Sequence, residues 1–171
     1  MNLLLISCQL ILTVVFLVSA IFKVRDIDTF AGRVRPALPS RVARHSYSVG
    51  VLVVFLEFAT VVLLLFVPYV GFLESAVLLI AFTVHLVRVI RSGVQVPCGC
   101  AGSSEAPTSR VHVVRNLLLL VMAVTGSSLS ALAVGHLQLN HLVLLGPATI
   151  IGLGILYLQE LTDLLKGGIL L

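Results

Sequence analysis

The chain has 171 residues, 59% of them apolar and 11% charged. Soluble domains carry roughly 45–50% apolar and about 25% charged residues, so a water-soluble fold is excluded, because no core of this size could hide so much Leu, Val and Ile. The net charge of +4 does not mark a nucleic-acid binder either, since the basic residues flank apolar runs and no basic face with interleaved aromatics occurs.

A helix needs about 20 apolar residues to cross the hydrocarbon core. The first such run is Leu3 to Phe22, ending at Lys23. Val18-Ser19-Ala20 has some likeness to a leader-cleavage site. A basic stretch before the run is missing, however, and Lys23 follows closely, so a retained span is expected. Cleavage would leave four spans in the same orientation. Segment 25–45 is too charged to span, and Pro36 and Pro39 prevent one long helix. Phe30, Val34, Leu38 and Val42 recur every four residues among arginines, which predicts short amphipathic pieces at the membrane interface.

The second span is predicted at 47–67 and is stopped by Pro68. A tight Pro-Tyr-Val-Gly turn leads to a third at 70–90, so these two should be antiparallel neighbours. The fourth covers 111–134 and the fifth 142–165. No internal repeat appears. The expected fold is therefore all-α: one integral membrane domain over 1–171, a polytopic bundle of four to five transmembrane helices whose surroundings are the lipid bilayer.

Charge gives a direction. Lys23, Arg25, Arg33, Arg35, Arg41 and Arg44 lie between spans one and two. Arg88, Arg91, Arg110 and Arg115 bracket the connection between spans three and four, and Lys166 lies at the C-terminus. These are all eleven Lys and Arg of the chain. The positive-inside rule puts them on the cytoplasmic side of a cell membrane, with the N-terminus outside.

The stretch with most chemistry is Pro97-Cys98-Gly99-Cys100-Ala101-Gly102. Glycine lets the backbone turn tightly enough for the sulfurs of Cys98 and Cys100 to meet. A disulfide across one residue should be strained and easily reduced, which suits a redox pair better than a staple. His112 and Arg115 lie nearby in sequence, and positive charge favours the thiolate, the nucleophile of disulfide exchange. Two other readings stand beside this one: incidental or packing cysteines, or a soft-metal site of Cys98, Cys100 and His112, whose loose spacing is too weak to assign a metal. Cys8, inside span one, reads as a packing residue.

Charges within spans are expensive and often functional. Glu57 lies near the middle of span two and reads either as a proton-handling acid or, slightly favoured, as a helix–helix hydrogen-bonding residue. His85 in span three has the same ambiguity, and the two together are thin support for a small-molecule carrier. Glu160 and Asp163 are expected to form ion pairs with Lys23, Arg88, Arg115 and Lys166 at similar depth. Gly126, Gly152 and Gly154 should let helices approach closely. No cofactor signature is present; a quinone is chemically compatible but no residue pattern selects one.

Phe16-Leu17-Val18-Ser19-Ala20-Ile21-Phe22-Lys23-Val24-Arg25-Asp26 resembles the first-span motif of the MauE branch of the MauE/DoxX membrane proteins. Leu38-Pro39, Glu57, Cys98-Gly99-Cys100-Ala101-Gly102 and Val114-Arg115-Asn116-Leu117 follow in the family's order. Ala101 stands where the family pattern has an aromatic residue. The resemblance implies a small redox-associated helical bundle linked to methylamine utilisation. It also implies a role in maturing the disulfide-rich small subunit of methylamine dehydrogenase, alongside a thioredoxin-like partner. The leading expectation is a membrane thiol–disulfide redox protein, a possible oxidoreductase, in which Cys98 and Cys100 cycle and His112, Arg115 and Glu57 support them. The alternative is a non-enzymatic assembly or chaperone subunit with structural or metal-binding cysteines. The oligomeric state has no signature in the sequence.

Overall fold

A computed structural model describes residues 2–35, 38, 40–92, 110–132 and 145–157. These form α1 (Asn2–Arg25), α2 (Ile27–Val34), α3 (Ser40–Ala43), α4 (Ser46–Phe66), α5 (Pro68–Ser92), α6 (Arg110–Leu132) and α7 (Leu145–Leu156). Hydrocarbon offers no partner for backbone N–H and C=O groups, so each apolar run satisfies its own as a helix. Among the described residues four helices are long and apolar enough to cross a membrane: α1, α4, α5 and α6. At a rise of 1.5 Å per residue, the 24 residues of α1 extend about 36 Å. The described part of the fifth predicted span is the 12-residue α7; the rest of 142–165 lies outside the described residues, as do Glu160, Asp163 and Lys166.

Helix α1 is the axis of the bundle. It packs against α4, α6 and α7 and touches α2 and α5. Leu5, Leu12, Phe16 and Ala20 are buried along it, and Leu64, Phe72, Leu119, Ala123 and Leu156 meet them from the surrounding helices. The outward faces are apolar and exposed: Phe55 and Val62 on α4, Val77 on α5, Val121 on α6 and Ile150 on α7. That inversion, apolar side chains both inside and outside, is what a lipid-embedded bundle requires. Polar groups on α1 find protein partners: Gln9 donates its side-chain N–H to the carbonyl of Leu64 at 2.6 Å, and the Thr13 hydroxyl donates to the Gln9 carbonyl at 2.7 Å.

The predicted interfacial segment folds as two short helices. Asp26 forms the turn between α1 and α2, and its carbonyl accepts from the Phe30 N–H at 3.0 Å. Phe30 and Ala31 are buried while Asp28, Thr29 and Gly32 are exposed, so α2 is amphipathic as the four-residue spacing predicts. Its apolar face lies on α4 beside Gly50.

The connection between spans two and three is tighter than expected. Only Val67 is non-helical, and Pro-Tyr-Val-Gly is the first turn of α5, not a separate loop. Pro68 at the first helical position loses no hydrogen bond, and it pushes Val67 out of the α region, to φ −134° and ψ 72°. A Cβ on Gly71 would sit 2.4 Å from the backbone nitrogen of Leu64, so this hairpin closes only over glycine. Glycine also lets α5 and α6 meet, since a Cβ on Gly126 would fall 2.3 Å from the ring of Phe72. Gly152 brings α7 to Val14 of α1, whereas among the described residues nothing lies within 4 Å of a Cβ placed on Gly154.

Candidate functional site: a buried polar centre

Ser19 and Lys23 are four residues apart on α1 and share one face. Both are buried, with Lys23 at 3% exposure. Opposite them on α4 is Glu57, fully buried. The Lys23 ammonium donates to Oε1 of Glu57 and also to the Ser19 hydroxyl at 3.0 Å. That hydroxyl in turn donates to the same Glu57 oxygen at 3.3 Å. The ring centroids of Phe82 on α5 and Phe30 on α2 lie 4.8 and 5.3 Å from the Lys23 nitrogen. The cation is thus held by a carboxylate, a hydroxyl and two aromatic faces, substitutes for water where water is scarce.

A cavity of about 30 Å³ adjoins this pair. From α6 it is lined by Arg115, Asn116 and Leu119, and from α7 by Leu156. Arg115 and Asn116 are buried. The Arg115 guanidinium donates to the Leu156 carbonyl at 3.4 Å and to Oδ1 of Asn116 at 3.5 Å. Elements distant in sequence therefore converge on one polar centre in an apolar bundle. It lies in the half of the bundle where α1 ends and α6 begins.

Of the residues singled out from sequence, Glu57 and Arg115 line the same cavity. His112 is buried one turn before Arg115 on α6. Cys98 and Cys100 lie outside the described residues, in the segment that joins the last residue of α5 to the first of α6. Lys23 pairs with Glu57. The close α1–α4 packing brings the two within reach, while the network expected around Glu160 and Asp163 lies outside the described residues. The residues missed as site members are Ser19, Asn116 and Phe82. The four-residue spacing of Ser19 and Lys23 is visible in the sequence, but a serine inside a small-residue tripeptide carries no signal for a polar site.

Residues 1–129 match the family described as methylamine utilisation protein MauE. The methylamine utilization protein MauE of Paracoccus denitrificans is 31% identical over 126 residues, which cover 68% of this chain. The chain spans 64% of that relative's length. No solved structure matches. The matched region contains the Lys23–Glu57 pair, Arg115, Asn116 and the Cys-x-Cys segment. With a matched stretch that takes in all four long apolar helices nearly to the end of α6, the chain belongs to the MauE family of membrane proteins.

Proposed function

We propose that this protein is a thiol–disulfide redox component of methylamine utilisation in the cell membrane, with Cys98 and Cys100 as the exchanging pair. The observation that carries the reading is where the pair is tethered. Its segment leaves α5 next to the exposed Arg88 and Arg91 and enters α6 just before the buried His112 and Arg115. Cations on both flanks favour a thiolate. Relatedness to MauE supplies the metabolic context.

The exchange balances without a bound cofactor. A thiolate of the reduced pair attacks the disulfide of a thioredoxin-like partner, forming a mixed disulfide and releasing one partner sulfur as a thiolate that takes a proton. The second cysteine then attacks the mixed disulfide, closes the Cys98–Cys100 bond and releases the partner as a dithiol. Two electrons and two protons have moved, and the reverse sequence reduces the pair. The Lys23 contact favours the helix-linking role for Glu57. The unanimous charge bias supports a cytoplasmic position for the cysteine segment.

Acid quenching of cells followed by thiol alkylation with a mass tag tests the reading. The pair is expected to shift between dithiol and disulfide when growth switches to methylamine, and Cys98→Ser or Cys100→Ser is expected to abolish growth on it. A pair that never changes state, with both variants growing normally, leaves an assembly or chaperone subunit as the function.

A further inference from the structure

The connection between α1 and α4 is the most basic part of the chain. From Lys23 to Arg44 it holds six of the eleven Lys and Arg, with two acids, Asp26 and Asp28. Lys23 turns inward to Glu57, whereas Arg25, Arg35 and Arg44 are exposed. The fold gathers these three at one corner: Arg25 ends α1, Arg35 caps α2, and Arg44 lies two residues before α4. Helix α2, about 12 Å long, is docked on α4 with Ile27, Phe30 and Ala31 beside Gly50. Exposed apolar side chains stand among the cations. Val24 adjoins Arg25, and Val42 and Tyr47 flank Arg44, at 51, 40 and 53% exposure. Outward cations mixed with outward apolar groups belong at a bilayer boundary, where charged ends reach the headgroups and apolar groups reach the acyl chains.

The chain's own acids cannot absorb this charge. Ten of the eleven Lys and Arg lie at this end of the bundle, in the α1–α4 and α5–α6 connections or the helix ends beside them. Lys23 and Arg115 are buried, which leaves eight. Glu57 lies inside α4, and Glu74 lies near the α4–α5 hairpin at the other end. The chain has five further acids: Asp26, Asp28, Glu105, Glu160 and Asp163. Were all five to take a cation here, cations would still be in excess, whichever way the bundle faces.

We infer that the corner formed by the end of α1, α2 and the start of α4 is an interaction surface for anionic glycerophospholipids. Arg25, Arg35 and Arg44 take the phosphates, and Val24, Val42 and Tyr47 take the adjoining acyl chains. A guanidinium matches phosphate geometry with its fork of donors and keeps its charge. A net-negative headgroup is attracted to such a basic cluster, whereas a zwitterionic one brings its own ammonium. Asp26 and Asp28 stand at the N-terminal turn of α2, where the helix dipole favours them, and Arg35 stands at its other end. The apolar neighbours select a lipid over a soluble anion, because they continue into the lipid-facing sides through Ile21 on α1 and Val51 on α4. The surface stands whether or not Cys98 and Cys100 are redox-active.

The probes are phosphatidylglycerol, phosphatidylcholine and glycerol 3-phosphate, each added to the full chain in a neutral detergent. Native mass spectrometry reads bound lipid, and thermal unfolding reads stabilisation, since a ligand of the folded state raises the midpoint. Phosphatidylglycerol is expected to bind at least about tenfold more tightly than phosphatidylcholine and to raise the midpoint further. Glycerol 3-phosphate at the same concentration is expected to leave the midpoint unchanged. A triple variant, Arg25→Gln, Arg35→Gln and Arg44→Gln, is expected to fold, because all three side chains are exposed, and to lose the preference. Arg88→Gln with Arg91→Gln removes two exposed cations from the same end and is expected to keep most of it. Equal binding of the two lipids, or stabilisation by glycerol 3-phosphate as large as by phosphatidylglycerol, would overturn the assignment. So would a loss in the Arg88/Arg91 variant as large as in the triple variant, which would mean diffuse surface charge.

Discussion

Cutting the Lys23–Glu57 pair from either side should be costly, and cutting both sides together should not. Glu57→Leu strands an ammonium at 3% exposure between two aromatic rings. The stranded group escapes by losing its proton, and for an ordinary lysine at pH 7 that costs about 4.6 kcal/mol. Lys23→Met strands a fully buried carboxylate, which escapes by gaining a proton at about 3.7 kcal/mol for an ordinary glutamate. These figures cap only the charge part of each loss, and the whole loss is expected at roughly 3–5 kcal/mol, as when one member of a buried pair is removed. Glu57→Leu is the worse of the two. In the double variant nothing charged remains to strand, and well-packed apolar replacements of buried pairs are often neutral or better, so it should lie within about 1–2 kcal/mol of the parent. Equilibrium unfolding in mixed detergent micelles measures all four corners of this cycle. The expected coupling is at least about 2–3 kcal/mol. Single losses that simply add in the double variant would show that the two groups do not depend on each other, and the description of the polar centre would be wrong.

Glycine positions give a graded series. Gly71→Ala should be the most damaging, since its Cβ meets the Leu64 backbone at 2.4 Å and backbone cannot swing aside; a drop in yield and thermal midpoint checks this. Gly126→Ala meets the Phe72 ring at 2.3 Å and should cost about 1–3 kcal/mol, with partial rescue by Phe72→Leu. Gly50→Ala finds its nearest neighbours at 3.5 Å and should be tolerated or slightly stabilising through lower unfolded-state entropy. For orientation, a membrane-impermeant maleimide applied to intact cells should leave Cys98 and Cys100 unlabelled and react with them after permeabilisation; labelling in intact cells would reverse the topology argued from charge.

Hydropathy gave the four long helices to within a few residues because in lipid the backbone must be satisfied internally, so an apolar run of the right length has one outcome. The amphipathic α2 was equally legible, from Phe30 and its four-residue repeat among arginines. The first turn of α5 was not: Pro-Tyr-Val-Gly spells a turn in isolation, and only the contact of Gly71 with Leu64 reveals that it is already helix. The partner of Glu57 was hidden for a different reason. Lys23 looks like an interfacial charge when α1 is read alone. It becomes a buried one because α2 and α5 bring Phe30 and Phe82 over it. Arg115 stands near the cysteines in sequence, and the cavity it lines has no sequence signal, since a cavity is made by what five separate helices fail to fill.

The central position of α1 has a consequence for biogenesis. Helix α1 is made before α4, α5, α6 and α7, all of which it will touch, and it carries a lysine whose acidic partner is 34 residues further along the chain. At synthesis rates of about 5–20 residues per second, Lys23 waits roughly 2–7 s before Glu57 is made. In that interval its ammonium has no buried counter-charge and is best accommodated at the headgroup level, which its position near the end of α1 allows. The contact that buries Lys23 can form only once α4 has been made, so burial of this charge and docking of α4 on α1 are one event.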